Sequence, residues 1–185
     1  MSFVNSSITK IEAARRQLET AISLYFDNGD SLAIHSLAYA SFKVLLDICP
    51  SFDRSAVAQE INNTVASLGW KNFNATPNFL KHADRDPLET LDRHTIDNVE
   101  PTIGFACCIY RRLQGQLTDP MFRFHLWMQN LYSDAFQVPP SPDPYDDALE
   151  RLATEQIKNL PFEERQRIGK ILTEAVLTAT RQQQR

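Results

Sequence analysis

Residues 31–48 constrain the chain most. Ile34, Leu37, Ala38, Ser41, Leu45 and Ile48 recur three and four apart, and His35, Tyr39, Phe42 and Leu46 form a second stripe beside the first. A helix apolar over so much of its circumference has to be surrounded by other helices. Asp30-Ser31 starts it and Cys49-Pro50 ends it. Ahead of it, Thr9 and Glu12 make a capping-box pattern. Ile8, Ile11, Leu18, Ile22 and Tyr25 then recur at helical spacing as far as Asn28-Gly29, where glycine accepts the left-handed conformation that closes a helix. Residues 8–48 therefore predict a two-helix hairpin whose second helix is central.

The remainder reads as helix too. Ser55 caps a third helix over Ala56–Leu68, stopped by Gly69, and Trp70 and Phe73 pin the following loop to the core. Leu91, Ile96, Val99, Ile103, Ala106 and Tyr110 predict helix on both sides of Pro101, with a break or kink near Asn98 to Glu100. Thr118-Asp119-Pro120 starts a further helix to about Phe136, with Met121, Phe124, Met128, Leu131 and Ala135 on one face. No stretch competes as a strand. The expected fold class is all-α, a helical bundle of about six to eight helices. Residues 138–144, with four prolines in seven positions, form an extended and stiff linker. This divides the chain into a bundle over 1–137, the linker over 138–144 and a helical arm over 145–185. The arm holds two helices, about Tyr145–Asn159 and Pro161–Thr180, which pack on the same chain or on a partner.

Composition narrows the function classes. The net charge of −4 and the pI near 5.6 supply no basic field for nucleic acid, and neither side of Val138 is basic on its own. Cys49, Cys107 and Cys108 make no disulfide framework; the adjacent pair inside an apolar helical run reads as reduced core thiols, which points to the cytoplasm. The N-terminus lacks a signal-peptide pattern, and no apolar run approaches the roughly 20 residues of a membrane span. A Gly-rich phosphate loop, a Cys-x-x-Cys pair and a Ser elbow between glycines are all missing. The expectation is no cofactor and no membrane, and no metal, with a site built from His35, His82 and a carboxylate as a weaker possibility.

One stretch concentrates chemistry: Thr76-Pro-Asn-Phe-Leu-Lys-His-Ala-Asp-Arg-Asp-Pro87. Thr76 and Pro77 start a short helix to about Ala83, and Asp86-Pro87 ends it. Asn78, Lys81, His82 and Arg85 crowd one side, with Phe79 and Leu80 as core anchors. His82 can act as acid, base or ligand near neutral pH. Lys81 and Arg85 can hold a phosphate or carboxylate. Asp84 and Asp86 can orient the imidazole. The competing view is an ion-pair network that ends a surface helix. His35 reads as a satisfied core residue, or as a partner facing His82 with Tyr39 one turn on. Arg15 reads as an aliphatic stem lying over the core with its charge in solvent, in preference to an anion ligand.

Two segments carry a family resemblance. Residues 10–48, from Lys-Ile-Glu-Ala-Ala-Arg-Arg-Gln-Leu-Glu-Thr-Ala through Asp30-Ser-Leu-Ala-Ile-His-Ser-Leu-Ala-Tyr-Ala, resemble the opening helical hairpin of HEPN-like proteins. Asn78-Phe-Leu-Lys-His-Ala-Asp-Arg-Asp-Pro87 resembles a motif of uncharacterised bacterial proteins that share that opening and travel on mobile gene cassettes. The resemblance spans roughly residues 8–95. It implies an α-helical bundle, often a homodimer, and in many members a metal-independent ribonuclease whose pattern is Arg, four to six residues, then His. Here Arg85 and His94 are separated by eight residues, and no other pair fits. The expected function is binding of a small anionic ligand or nucleotide by the His82 cluster, with His35, Tyr39, Asn78 and Asp84 as ligand contacts. One alternative is a divergent ribonuclease or phosphodiesterase, with His82 as general base and Lys81 or Arg85 stabilising the transition state on RNA. Another is a non-enzymatic dimeric interaction protein with a structural charge cluster.

Overall fold

The computed structural model describes residues 7–82, 84–91, 99–132 and 153–183. All of its regular structure is helical. The helices are α1 (Lys10–Phe26), α2 (Ser31–Ile48), α3 (Ser55–Leu68), α4 (Trp70–Phe73), α5 (Ala75–Lys81), α6 (Val99–Gln114) and α7 (Asp119–Leu131). A helical stretch at 153–158 (α8) and α9 (Phe162–Gln183) follow, and a 3₁₀ turn, Cys49–Phe52, extends α2. Among the described residues these are nine helices against the expected six to eight, and residues 70–81, read as loop and one helix, form two of them. The linker at 138–144, most of the first arm helix, and the region of Asp92 and His94 lie outside the described residues.

The hairpin forms where the spacing places it. The Thr9 hydroxyl accepts the Glu12 N–H at 3.1 Å, and the Asp30 carboxylate accepts the Ala33 N–H at 2.8 Å. Each occupies one donor that a helix start leaves free. Between the two helices, the buried Ser41 hydroxyl donates to the Ala14 carbonyl at 2.8 Å. Ala14, Ala21 and Ala38 are fully buried, so little side-chain bulk separates the backbones. Helix α2 then packs on α1, α5 and α6, and Ile34, Phe42 and Leu45 are fully buried. The segment Ser31–Phe52 has 22 residues and contains an 18-residue window with a mean hydropathy of 1.4, long and apolar enough by length and composition alone to cross a membrane, contrary to the sequence expectation. Its packing inside the bundle gives that hydropathy a use within the fold.

Pro101 lies in the first turn of α6 as described from Val99, and the helix expected before it falls on residues 92–98, outside the described residues. Glu100 of that turn lies in the interior, 1% exposed. The Tyr25 hydroxyl donates to Glu100 Oε1, Trp127 Nε1 donates to the Tyr25 oxygen at 2.8 Å, and Arg165 Nε lies 3.3 Å from Glu100 Oε1. A buried carboxylate is tolerable only when paired in this way. Because Arg165 belongs to α9, the network ties the C-terminal arm to α1, α6 and α7 of its own chain. Two further contacts secure it. A Cβ at Gly169 would sit 2.9 Å from the Trp127 ring, and Arg123 stacks 4.0 Å over Phe26 while its Nε donates to Thr173 Oγ1 at 2.8 Å.

Candidate functional site

The site builds from α2 and α5. On α2, His35 and Tyr39 are one turn apart, and Ser36, Ala40, Lys43 and Val44 continue the same side. On α5, Thr76, Pro77, Leu80 and Lys81 face them across a cavity of about 330 Å³ with predominantly apolar walls. The position of α5 comes from the residues before it. Phe73 of α4 is buried edge-on against Phe42, with ring centroids 5.2 Å apart, and contacts Phe105 at 6.0 Å. The Tyr39 hydroxyl donates to Asn74 Oδ1 at 2.7 Å, one residue ahead of α5.

At the inner end lie two buried polar side chains without a protein partner. His35 is 1% exposed and neither ring nitrogen is hydrogen-bonded; Thr76 is 2% exposed and its hydroxyl is likewise unpaired. Burial holds the His35 pKa down at about 4, so the ring is neutral at pH 7, with one donor and one acceptor. At the outer end are cations. Lys81 Nζ stands 5.7 Å from the Tyr39 ring centroid, and exposed Lys43 pairs with Asp47 at 2.7 Å. Both are contacts of modest strength at exposed positions, roughly 1 kcal/mol or less. The amines therefore keep most of their capacity for an anion.

This geometry redistributes the residues expected from the sequence. His35, Tyr39 and Lys81 line the cavity. His82 does not: it caps the C-terminal end of α5, donating its N–H to the Asn78 carbonyl at 3.0 Å and accepting the Arg85 N–H at 2.8 Å. Asn78, Asp84 and Arg85 are exposed and away from the cavity walls. His35 therefore faces Lys81 and Thr76 across the cavity, in place of His82. It is buried as read, yet not satisfied. The ion-pair network that would end a surface helix is not formed by His82, Asp84 and Arg85 among the described residues. Arg15 is engaged by Glu12 at 2.8 Å and Glu19 at 2.6 Å, remote from the cavity.

Helix α5 also differs at its ends, running Ala75–Lys81 in place of Pro77 to about Ala83. It begins at Ala75, so Thr76 lies inside the first turn and is not the cap. Thr76 and Pro77 point inward, Leu80 is 43% exposed and Phe79 is only partly buried, reversing the expected anchors. Pro77 at the third helical position still forfeits no hydrogen bond, which is why this earlier start is open to the chain. Sequence reasoning thus missed Thr76, and it missed Lys43. The signal for Lys43 was available: it lies four residues after Tyr39 and eight after His35, on the same side of α2.

Among the described residues, no group of three or more His, Cys, Asp or Glu side chains is placed to hold a metal. Cys107 is buried and Cys108 exposed, so only one of the adjacent thiols belongs to the core. Comparison with protein-family models, with curated proteins and with solved structures finds no match to this chain.

Proposed function

We propose that the protein binds a small anionic ligand, nucleotides included, in the cavity between α2 and α5. One observation carries this reading: His35 and Thr76, both buried and both without a protein partner, converge on a cavity with Lys81 at its edge. An unpaired buried polar group costs roughly 1–3 kcal/mol. A fold that keeps two of them beside one cavity is spending stability where a ligand's polar atoms would recover it. The size supports a small ligand, since pockets for small molecules run from about 300 to 1,000 Å³.

The α1–α2 hairpin is compatible with the resemblance to HEPN-like proteins, and we retain that family as part of the proposal at the level of fold. The ribonuclease alternative is weaker on the geometry. It needs Lys81, His82 and Arg85 to act together, and only Lys81 lines the cavity. The free thiols at Cys49, Cys107 and Cys108 support a cytoplasmic setting. Ile171, 57% exposed, and Leu172, 40% exposed, leave an apolar strip on α9 that supports a homodimer.

A thermal-shift screen against nucleotides, inorganic phosphate, small carboxylates and short RNA tests the reading. A ligand at about 100 times its Kd should stabilise the fold by roughly 2.7 kcal/mol. The gain is expected in wild type and in His82→Ala, and it should vanish in Lys81→Met. A gain that survives Lys81→Met and disappears in His82→Ala would move the site to the turn after α5.

A further inference from the structure

Within the anion-binding reading, on which this inference rests, the cavity also specifies what the rest of the ligand must be. Its walls are Ala40, Val44, Pro77, Leu80 and the Tyr39 ring, and they offer little to a sugar or to a second charged group. The body of the ligand is therefore apolar. Polar demand appears at two separate depths. At the outer end it is charge, from exposed Lys81 and Lys43. At the inner end it is neutral hydrogen bonding, from the His35 ring, which carries one donor and one acceptor, and the Thr76 hydroxyl, which is both. A group that donates once and accepts once can bond one His35 ring nitrogen and the Thr76 hydroxyl together, with no second charge to desolvate. A hydroxyl does this; a carboxylate or phosphate there would bury a charge beside a neutral imidazole.

We propose that the ligand is a hydroxylated aromatic monocarboxylate, its carboxylate held by Lys81 and Lys43, its ring against Tyr39 between Val44 and Pro77, and its phenolic hydroxyl bonded to His35 and Thr76. A flat ring suits a cavity that already has an aromatic wall, since offset or edge-on ring contacts add to simple burial. A site that hydrogen-bonds a ligand hydroxyl discriminates strongly against the analogue that lacks it, because its buried polar groups are then left unpaired.

Isothermal titration calorimetry on the full chain tests this with four probes: 4-hydroxyphenylacetate, phenylacetate, p-cresol and AMP. Wild type should bind 4-hydroxyphenylacetate at least tenfold more tightly than either phenylacetate, which lacks the hydroxyl, or p-cresol, which lacks the carboxylate. His35→Phe should remove the preference over phenylacetate and keep the preference over p-cresol. Lys81→Met should do the reverse. The two variants act on different halves of the ligand, so a general folding defect cannot reproduce both patterns. Tighter binding of AMP than of any carboxylate, abolished by Lys81→Met, would overturn the aromatic acid and leave the anion pocket standing. Binding of none of the four would overturn this ligand assignment, and the separate screen of nucleotides, phosphate and RNA would then decide the pocket itself.

Discussion

Acidification should cost this protein stability through His35, and by an amount that the structure sets. The imidazole has a pKa of about 4 in the fold, held down by burial, against about 6.5 in an unfolded chain. Below pH 6.5 the unfolded chain takes up a proton that the folded chain refuses. Stability is therefore complete above about pH 6.5 and is lost as pH falls toward 4. Over that interval the loss amounts to about 3 kcal/mol, of which about 2 kcal/mol has gone by pH 5. His35→Phe keeps a flat ring in the cavity wall and removes the titration. Urea denaturation of both proteins at pH 7 and pH 5 isolates the effect, because carboxylates elsewhere contribute equally to both. The difference between wild type and variant should shift by about 2 kcal/mol in favour of His35→Phe on moving to pH 5. Parallel losses in the two proteins would mean that His35 is hydrated or hydrogen-bonded in solution, and the description of the inner end of the cavity would fail.

Other substitutions probe the same account. Thr76→Val removes an unpaired buried hydroxyl at nearly constant volume, so the melting temperature should hold or rise, by an amount matching about 1–2 kcal/mol, while ligand affinity falls; a clear loss of stability would show that the hydroxyl has a partner. Arg165→Met strips Glu100 of its cationic neighbour and should cost about 3 kcal/mol in urea denaturation. Adding Glu100→Gln should recover part of that loss, since contacting residues are not additive. Gly169→Ala gains about 1 kcal/mol of helix propensity but drives a methyl to 2.9 Å from the Trp127 ring. Overpacking of about 1–3 kcal/mol should prevail, seen as a lower melting temperature and altered tryptophan emission.

The sequence made the hairpin legible because each of its signals is local: caps at Thr9 and Asp30, a stop at Asn28-Gly29, where Asn28 (φ 57°) and not the expected glycine takes the left-handed conformation, and two stripes on α2. Side-chain chemistry across helices was less legible. Glu100 looked like part of a break before Pro101, and nothing in a linear pattern reveals that Tyr25, Trp127 and Arg165 close around it from three other helices. The candidate site was half visible. His35, Tyr39 and Lys81 were singled out for their chemistry and do share a cavity. Asn78, His82 and Arg85 were grouped with Lys81 by helical spacing, but α5 ends at Lys81, so His82 and Arg85 fall in the turn beyond it, as does Asp84. The side of α5 that docks on α2 carries Thr76, Pro77, Leu80 and Lys81, and leaves Asn78 exposed. Where a seven-residue helix starts and stops, and which of its sides is buried, depends on what docks beside it, here Phe73 and Asn74 on α2 and α6, and periodicity over two turns cannot register that.

The central claim is that the cavity between α2 and α5 is a ligand site with His35 at its inner end. The most direct measurement is the chemical shift of the histidine ring nitrogens in ¹⁵N-labelled protein, titrated with 4-hydroxyphenylacetate and, separately, with AMP. The account predicts a saturable change at His35 with at least one of them, while His82 and His125 stay in place. A bound anion that leaves His35 unmoved, or that shifts His82 alone, would contradict it.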